Sequence, residues 1–263
     1  MRASFRVVPQ RFTDVVRAER VRVTTLRRPK ALAVVALIVA VGFAALTAAI
    51  AQAVSVLGGV YSDEGAVLLS RAAVSGATTL ALMVGAIAID VTGTERATGA
   101  RHLTNLGTPR RGRTYLARLC VLACGGGLVG LSALAVCTLT VVAISAASGV
   151  EDPLVSAGLS FSRVVGTLLT MALVVGFAHG VVWIVPHTLS ALGVVVSVVW
   201  LAPIVVRVMG GAEQSNVLHV VLRALPTEHL GELAAGDGTG VSVAVAGAWT
   251  LVALLGGALR RRA

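Results

Sequence analysis

The chain has 263 residues, of which 56% are hydrophobic and only 13% are charged. A soluble domain carries about 25% charged residues, so this composition excludes an ordinary soluble fold and indicates an integral membrane protein. The formal net charge is +10, from 22 basic and 12 acidic residues. That balance can indicate nucleic acid as a partner. Here the basic residues cluster between apolar segments, so we expect membrane lipid and no nucleic acid.

The segment 1–30 is basic and precedes the first long apolar run. At helical spacing its apolar residues share one face, which predicts an amphipathic helix lying at the membrane surface. The apolar face comprises Phe5, Val8, Phe12, Val15, Val16, Val23 and Leu26. Glu19 falls in the middle of this face, so we expect it to contact an arginine or a protein partner. The alternative is a solvated carboxylate on a partly immersed helix.

Six apolar segments are each long enough to cross a bilayer, which needs about 20 residues per helix. The predicted spans are Ala31–Val56, Ala66–Ile89, Thr114–Ala147, Phe161–Val185, Thr188–Met209 and Val241–Leu259. Together they form one transmembrane domain over residues 31–259, with a basic tail at 260–263. Only Pro186 and His187 separate the fourth and fifth spans, which predicts a tight helical hairpin. The expected fold class is an all-α integral membrane protein.

The distribution of basic residues between the spans predicts the orientation of the chain. Three segments that lie on one side after six crossings hold nine, six and three basic residues, namely 1–30, 91–118 and 260–263. The opposite loops hold one basic residue, Arg223, against eight carboxylates, over 57–64, 148–160 and 210–240. Since loops rich in Arg and Lys remain in the cytoplasm, both termini are predicted to be cytoplasmic.

The basic loop 91–118 has the pattern of a short helix followed by a turn. Thr94 is placed to cap a helix that begins with Glu95, while Gly107 ends it and Pro109 blocks its continuation. A short helix beneath the bilayer suits docking to a cytoplasmic protein. The alternative is a basic loop that faces lipid and acts only as a topology signal.

Two further predictions apply if the chain forms a transport path. The outer loop 210–240 contains two helix-like stretches broken at Pro226, which we expect to dip into the outer leaflet and cap a substrate path; the alternative is a plain exposed loop. His179 is the only ionisable residue deep in a span, and such residues are candidates for function. The alternative is a neutral histidine bonded to a neighbouring helix. The candidate path residues are Ser75, Thr78, Thr79, Met83 and His179.

Glycine pairs at four-residue spacing predict close contacts between helices, because small residues let backbones approach. The pairs are Gly126 with Gly130 and Gly176 with Gly180.

Two of the basic segments resemble the permeases of ABC-2-type transporters. In the loop after the second span, the residues that match the family pattern in register are Glu95, Gly99, Pro109, Arg111, Ala117 and Arg118. The departures from that pattern are Arg96, Ala97 and Ala100. In the N-terminal segment, the matching residues are Glu19, Arg22, Val23, Thr25 and Arg27. A weaker similarity lies in "LRALPTEHL", before the last span.

This resemblance implies an elbow helix at the N-terminus and a coupling helix between the second and third spans. The implied contacts with a separate ATPase subunit are Glu19, Arg22, Glu95, Gly99, Arg101, Pro109, Arg110 and Arg111. The chain would be a permease subunit in the bacterial cytoplasmic membrane, working as a homodimer or heterodimer. It would export an amphipathic small molecule, antibiotic or peptide, with a role in antibiotic resistance. ATP and magnesium would bind the ATPase subunit, and the chain itself would hold no cofactor or metal.

Other functions are less consistent with the sequence. A phosphate-binding loop needs a lysine after glycine, and the only lysine, Lys30, follows Pro29. A stand-alone secondary transporter remains the main alternative, although internal repeats and intramembrane carboxylates are expected there, and Asp90 is the only carboxylate in or beside a span. A membrane-embedded enzyme is a further alternative, for which no catalytic motif or metal-ligand spacing is present.

Overall fold

A computed structural model of the chain describes residues 11–57, 63–97, 111–147, 160–210 and 216–260, and these residues contain helices but no strand. The helices are α1 Phe12–Thr25, α2 Arg27–Leu57, α3 Asp63–Ala97, α4 Arg111–Ala147, α5 Phe161–Ile184, α6 Thr188–Val196, α7 Ala202–Gly210, α8 Asn216–Ala224, α9 Pro226–Ala235 and α10 Gly240–Arg260. A π-helical turn, Ser197–Leu201, joins α6 to α7. Six segments of this part of the chain are long and apolar enough to cross a membrane, which confirms the six predicted spans.

The spans pack around α5, the most buried of them. Two thirds of its most apolar stretch (67%) is buried, against 22% for α2 and for α10. Helix α5 contacts α3, α4, α9 and α10, whereas α2 packs mainly on α3. The three-residue break between α5 and α6 contains Pro186, and α6 contacts both α5 and α3. The tight connection expected between the fourth and fifth spans is therefore present.

Glycines allow the closest helix contacts, as the spacing predicted. A Cβ atom at Gly180 would overlap the backbone of Ala253, so α5 and α10 can pack this closely only because position 180 has no side chain. Gly176 faces Thr250 in the same interface. The Gly126–Gly130 pair on α4 faces Val84, Val175 and Met171, which belong to α3 and α5.

Helix α1 covers Phe12–Thr25 of the predicted amphipathic helix, and its buried face is narrower than the predicted apolar face. Its backbone begins with an N–H of Arg11 that donates to Asp14, while residues 1–10 lie outside the described part. Val15 and Glu19 are its buried residues, because they lie on the side of α1 that packs against α4. Phe12 remains 40% exposed. One edge of the predicted apolar face is therefore left open to the surroundings.

The expected helix start at Thr94 is wrong. Helix α3 continues through this residue to Ala97, and the Thr94 hydroxyl donates to the carbonyl of Asp90 in the preceding turn. Threonine satisfies its hydroxyl in this way inside a helix, so its presence alone does not mark a cap. Glu95 consequently lies in the last turn of the second span. Gly107 and Pro109, which were expected to end the short helix, lie outside the described residues.

The two helices predicted in the outer loop are present as α8 and α9. Pro226 is the first residue of α9, a position that needs no backbone N–H and favours proline. Gly236 ends α9 in the left-handed conformation, at φ 83°. The pair lies at the end of the bundle opposite α1, because it joins the far end of the fifth span to the start of the sixth.

Candidate functional site

A buried group of charged side chains, which we call the Arg118 cluster, joins α1, α3 and α4. Its members are Glu19, Arg22, Glu95 and Arg118. The Arg118 guanidinium donates to both carboxylates: Nη2 lies 2.9 Å from Glu19 Oε1 and 2.9 Å from Glu95 Oε1, and Nε lies 3.2 Å from Glu19 Oε2. Arg118 Nη1 also bonds Glu95 Oε2, and Arg22 pairs with Glu95. The expectation that Glu19 meets an arginine is confirmed, and the solvated alternative is wrong.

The Arg118 cluster is almost fully withdrawn from solvent. The side chain of Arg118 is 3% exposed and those of Glu19 and Glu95 are each 6% exposed, while Arg22 is 33% exposed. Burial lowers the pKa of Arg22, the charge of Arg118 lowers it further, and Glu19 raises it. Two arginines balance two carboxylates, so the group is neutral as a whole. Losing one member would leave a buried charge without compensation.

The position of the Arg118 cluster connects it to both ends of the basic loop. Glu95 lies two residues before the end of α3, and Arg118 lies two turns after the start of α4. Residues 98–110 connect those two helix ends. The cluster therefore fastens α1 to the two helices that enter and leave this loop. A displacement of either helix end strains the hydrogen bonds of the cluster.

The other residues expected to contact an ATPase lie at the loop itself. Gly99, Arg101, Pro109 and Arg110 are outside the described residues, and Arg111 begins α4 with a side chain that is also outside them. Arg118 matched the family pattern but was not among the predicted docking residues. Its central role depends on the packing of α1, which a pattern of spacing within one segment does not reveal.

A cavity of about 1050 Å³ lies at the opposite end of the bundle, next to α9. Three of the predicted path residues, Ser75, Thr78 and Thr79, line it from α3. Their hydroxyls donate to carbonyls of the preceding helical turn, which leaves the oxygens as acceptors. Opposite them, Leu230 and Glu232 of α9 form part of the other wall. Helices α8 and α9, which were predicted to cap a substrate path, both contribute residues to the lining of this cavity.

The remaining two path candidates lie elsewhere. Met83 is 37% exposed on α3 but does not line the cavity. His179 is fully buried, with Nδ1 3.5 Å from Thr92 Oγ1 and its ring centroid 4.6 Å from that of Tyr115. It therefore joins α5 to α3 and α4 in the core. This environment agrees with the alternative of a histidine that bonds neighbouring helices.

The link between α8 and α9 reaches far into the bundle. Trp249 Nε1 donates to the carbonyl of Ala224 at 2.9 Å. Trp249 lies nine residues, or about 13 Å, from the start of α10. On the other side, the Thr227 hydroxyl donates to the carbonyl of Val199, halfway along the fifth span. That carbonyl is available because Pro203, four residues later, has no N–H to donate. The two helices thus form a re-entrant pair whose tip lies near mid-span.

Charged residues of the re-entrant pair and its neighbours also line the cavity, and the sequence analysis did not select them. They are Arg71, Arg223, Glu228, His229, Glu232 and Asp237. His229 Nε2 donates to the carbonyl of Arg223 at 2.8 Å, and the Ser242 hydroxyl donates to Glu232. The available signal was Arg223, because it is the single basic residue of the outer loops. Its depth in the bundle was not predictable from that count.

No protein-family model matches the chain. No curated protein matches it either.

Proposed function

We propose that the chain is the membrane-spanning permease subunit of an ATP-driven exporter of the ABC-2 type, with ATP hydrolysis on a separate subunit. The observation that carries this proposal is the Arg118 cluster, which ties the N-terminal helix to both ends of the basic loop. Such a buried link is what a loop needs if force applied to it is to reach the spans. A loop that served only as a topology signal would need charge but no buried anchor.

Helix α3 provides a direct mechanical path from the loop to the cavity. It carries Glu95 at one end and lines the cavity with Thr79, 16 residues or about 24 Å away. Movement of the loop by an ATPase subunit would shift the ends of α3 and α4 together, because Arg118 holds them. The same helix would then move Thr79 relative to α9 and change the shape of the cavity.

A second permease subunit is part of the proposal, as a copy of this chain or a related one. Helix α2 presents a row of exposed apolar side chains, including Ile38, Phe43 and Leu46. Phe43 also lines the cavity, so the exposed row runs beside it. A second subunit against α2 would enclose the cavity between two chains and form a continuous path. The apolar walls suit an amphipathic cargo.

The proposal is tested by reconstituting the chain in proteoliposomes with an ABC ATPase subunit. ATP hydrolysis that rises on addition of the permease, together with ATP-dependent movement of cargo, is the expected result. Transport by the chain alone, driven by an ion gradient and unaffected by the ATPase subunit, would instead identify a secondary transporter and overturn the proposal.

A further inference from the structure

The cavity is lined by two arginines and by three carboxylates, Glu228, Glu232 and Asp237. Arg71 and Arg223 both line it, and neither guanidinium makes a hydrogen bond or ion pair within the described part of the chain. The carboxylates are differently placed. Glu232 accepts from the Ser242 hydroxyl and lies 3.4 Å from His229 Nδ1, and Glu228 also interacts with another residue of the chain. Asp237 lies at the outer mouth of the cavity, three residues before α10 begins, whereas Arg223 lies next to the residue that contacts Trp249, nine residues into α10. At the depth of the tip, an anionic group therefore meets a guanidinium that has no partner within the described part of the chain.

Arg223 lies at the tip of the re-entrant pair, and its side chain is exposed. It precedes Ala224, whose carbonyl accepts from Trp249, and its own carbonyl accepts from His229. Both contacts fix the backbone at the tip of the re-entrant pair, near mid-span. A charged side chain at this depth costs several kcal/mol unless it has a partner or water, and such residues commonly mark a substrate path. Arg223 is also the only basic residue of the outer loops, against eight carboxylates.

We propose that the cavity binds an amphiphile through an anionic group, a carboxylate or phosphate, held by the guanidinium of Arg223. Guanidinium matches both groups with two parallel hydrogen bonds. The apolar part of the ligand lies against Leu82, Val174 and Trp200, which share the cavity with Arg223. Arg71, on α3, provides a second positive charge. That this ligand is the exported cargo rests on the function proposed above, but its binding does not.

The proposal is tested by binding to the full chain in nanodiscs, without an ATPase subunit or nucleotide. The probe is 4-(4-bromophenyl)butanoate, and the matched cation is 4-(4-bromophenyl)butylamine. Bromine quenches tryptophan fluorescence, and Trp200 is the reporter because it lines the cavity. We expect the anion to bind at least about tenfold more tightly than the amine, with quenching much reduced in Trp200→Phe. Equal affinities, or tighter binding of the amine, would overturn the proposal in the unmodified protein.

Variants then assign the site. Arg223→Gln is expected to weaken binding of the anion at least about tenfold, since a hydrogen bond to a charged group is worth 1.5–3 kcal/mol and 1.4 kcal/mol is tenfold. Arg223→Lys keeps the charge but cannot form two parallel hydrogen bonds, so its affinity should fall between those of the parent and Arg223→Gln. Arg17→Gln, on the exposed face of α1, is the matched control and should change nothing. Unchanged affinity in Arg223→Gln, with a normal emission spectrum, would show that the anion binds elsewhere.

Two further arms identify the source of the anionic group and separate this inference from the proposed function. Nanodiscs of phosphatidylcholine alone are compared with nanodiscs containing phosphatidylglycerol. The anionic probe is compared directly between the two: weaker apparent binding in the nanodiscs with phosphatidylglycerol, and loss of this difference in Arg223→Gln, would show that lipid headgroups occupy the same site. Absence of anion binding alongside ATP-coupled transport would refute only the inference. Anion binding without any ATPase coupling would refute only the exporter.

Discussion

Arg118 on α4 and Glu19 on α1 form a two-pronged ion pair, with Nη2 2.9 Å from Oε1 and Nε 3.2 Å from Oε2. Ninety-nine residues separate them in the chain. The pair anchors an N-terminal helix that otherwise has only one strongly buried apolar residue, Val15. Attachment of α1 to the bundle therefore depends on charge more than on apolar contact.

Removing Arg118 is expected to detach α1. Arg118→Ala leaves Glu19 buried without its hydrogen-bonded partner and leaves Glu95 paired with Arg22 alone. Breaking a buried pair costs about 3–5 kcal/mol. Thermal unfolding in detergent should move to a lower temperature, and amide exchange in α1 should become fast. Arg20→Ala is the control, since Arg20 lies beside Glu19 in sequence but is exposed. Equal stability of the two variants would contradict the anchoring role of the Arg118 cluster.

The topology predicts which positions are reachable from outside the cell. In a chain with its three cysteines replaced, single cysteines at Asp63 and Asp237 should react with an impermeant thiol reagent in intact cells. Cysteines at Gly107 and at the two ends of the chain should react only after the membrane is opened. Labelling at Gly107 in intact cells would rule out the six-span arrangement with cytoplasmic termini.

The re-entrant pair should depend on the side chains that hold its tip. Trp249→Phe removes the donor to the Ala224 carbonyl while keeping an aromatic ring of similar shape. We expect amide exchange over 216–235 to become faster. A hydrogen bond contributes about 0.5–1.5 kcal/mol, and a value near the upper end of this range gives about a tenfold change. Trp200→Phe is the control, because its ring lies at the cavity and is half exposed. Fast exchange over 216–235 in the unmodified protein would show that the pair is not packed as described.

Close packing of α5 on α10 should make Gly180 intolerant of a side chain. In Gly180→Ala the added Cβ overlaps the backbone of Ala253, so the two helices must separate. Overpacking of this kind typically costs about 1–3 kcal/mol. Gly247→Ala on α10 meets no neighbour within 4 Å and should be neutral or stabilising. Thermal unfolding of the two purified variants checks this difference.

The spans were predictable because an apolar run of about 20 residues has few alternatives to a membrane helix. The pair α8 and α9 was also predictable, since Pro226 separates two amphipathic stretches and favours a helix start. The end of α3 was not. Threonine often caps helices, but the hydroxyl of Thr94 instead donates a hydrogen bond to a carbonyl of the preceding helical turn. Local signals of this kind do not decide between a cap and a continuing helix.

The candidate sites were predictable only in part, because contacts between distant segments decide them. The position of Glu19 on an apolar face indicated a buried partner, and Arg118 is that partner. Its identity required the packing of α1 on α4, which no periodicity within either helix specifies. Arg223 is the single basic residue of the outer loops in the sequence, but it was not among the predicted site residues. Its depth follows from the bonds made by Trp249 and His229, which lie elsewhere in the sequence.

The central claim is that the Arg118 cluster transmits work from an ATPase subunit to the spans. The most direct measurement is cargo-stimulated ATP hydrolysis and transport in proteoliposomes containing Glu95→Gln, beside the parent chain. Glutamine keeps the size of the side chain but removes its charge. Arg118 keeps both hydrogen bonds to Glu19, and Arg22 is 33% exposed, so insertion and assembly with the ATPase subunit should persist. Stimulation and transport should fall together at least about tenfold. Asp14→Asn, on the exposed start of α1, is the matched control and should behave as the parent does. Full transport with normal stimulation in Glu95→Gln would contradict the claim and leave the loop as a topology signal.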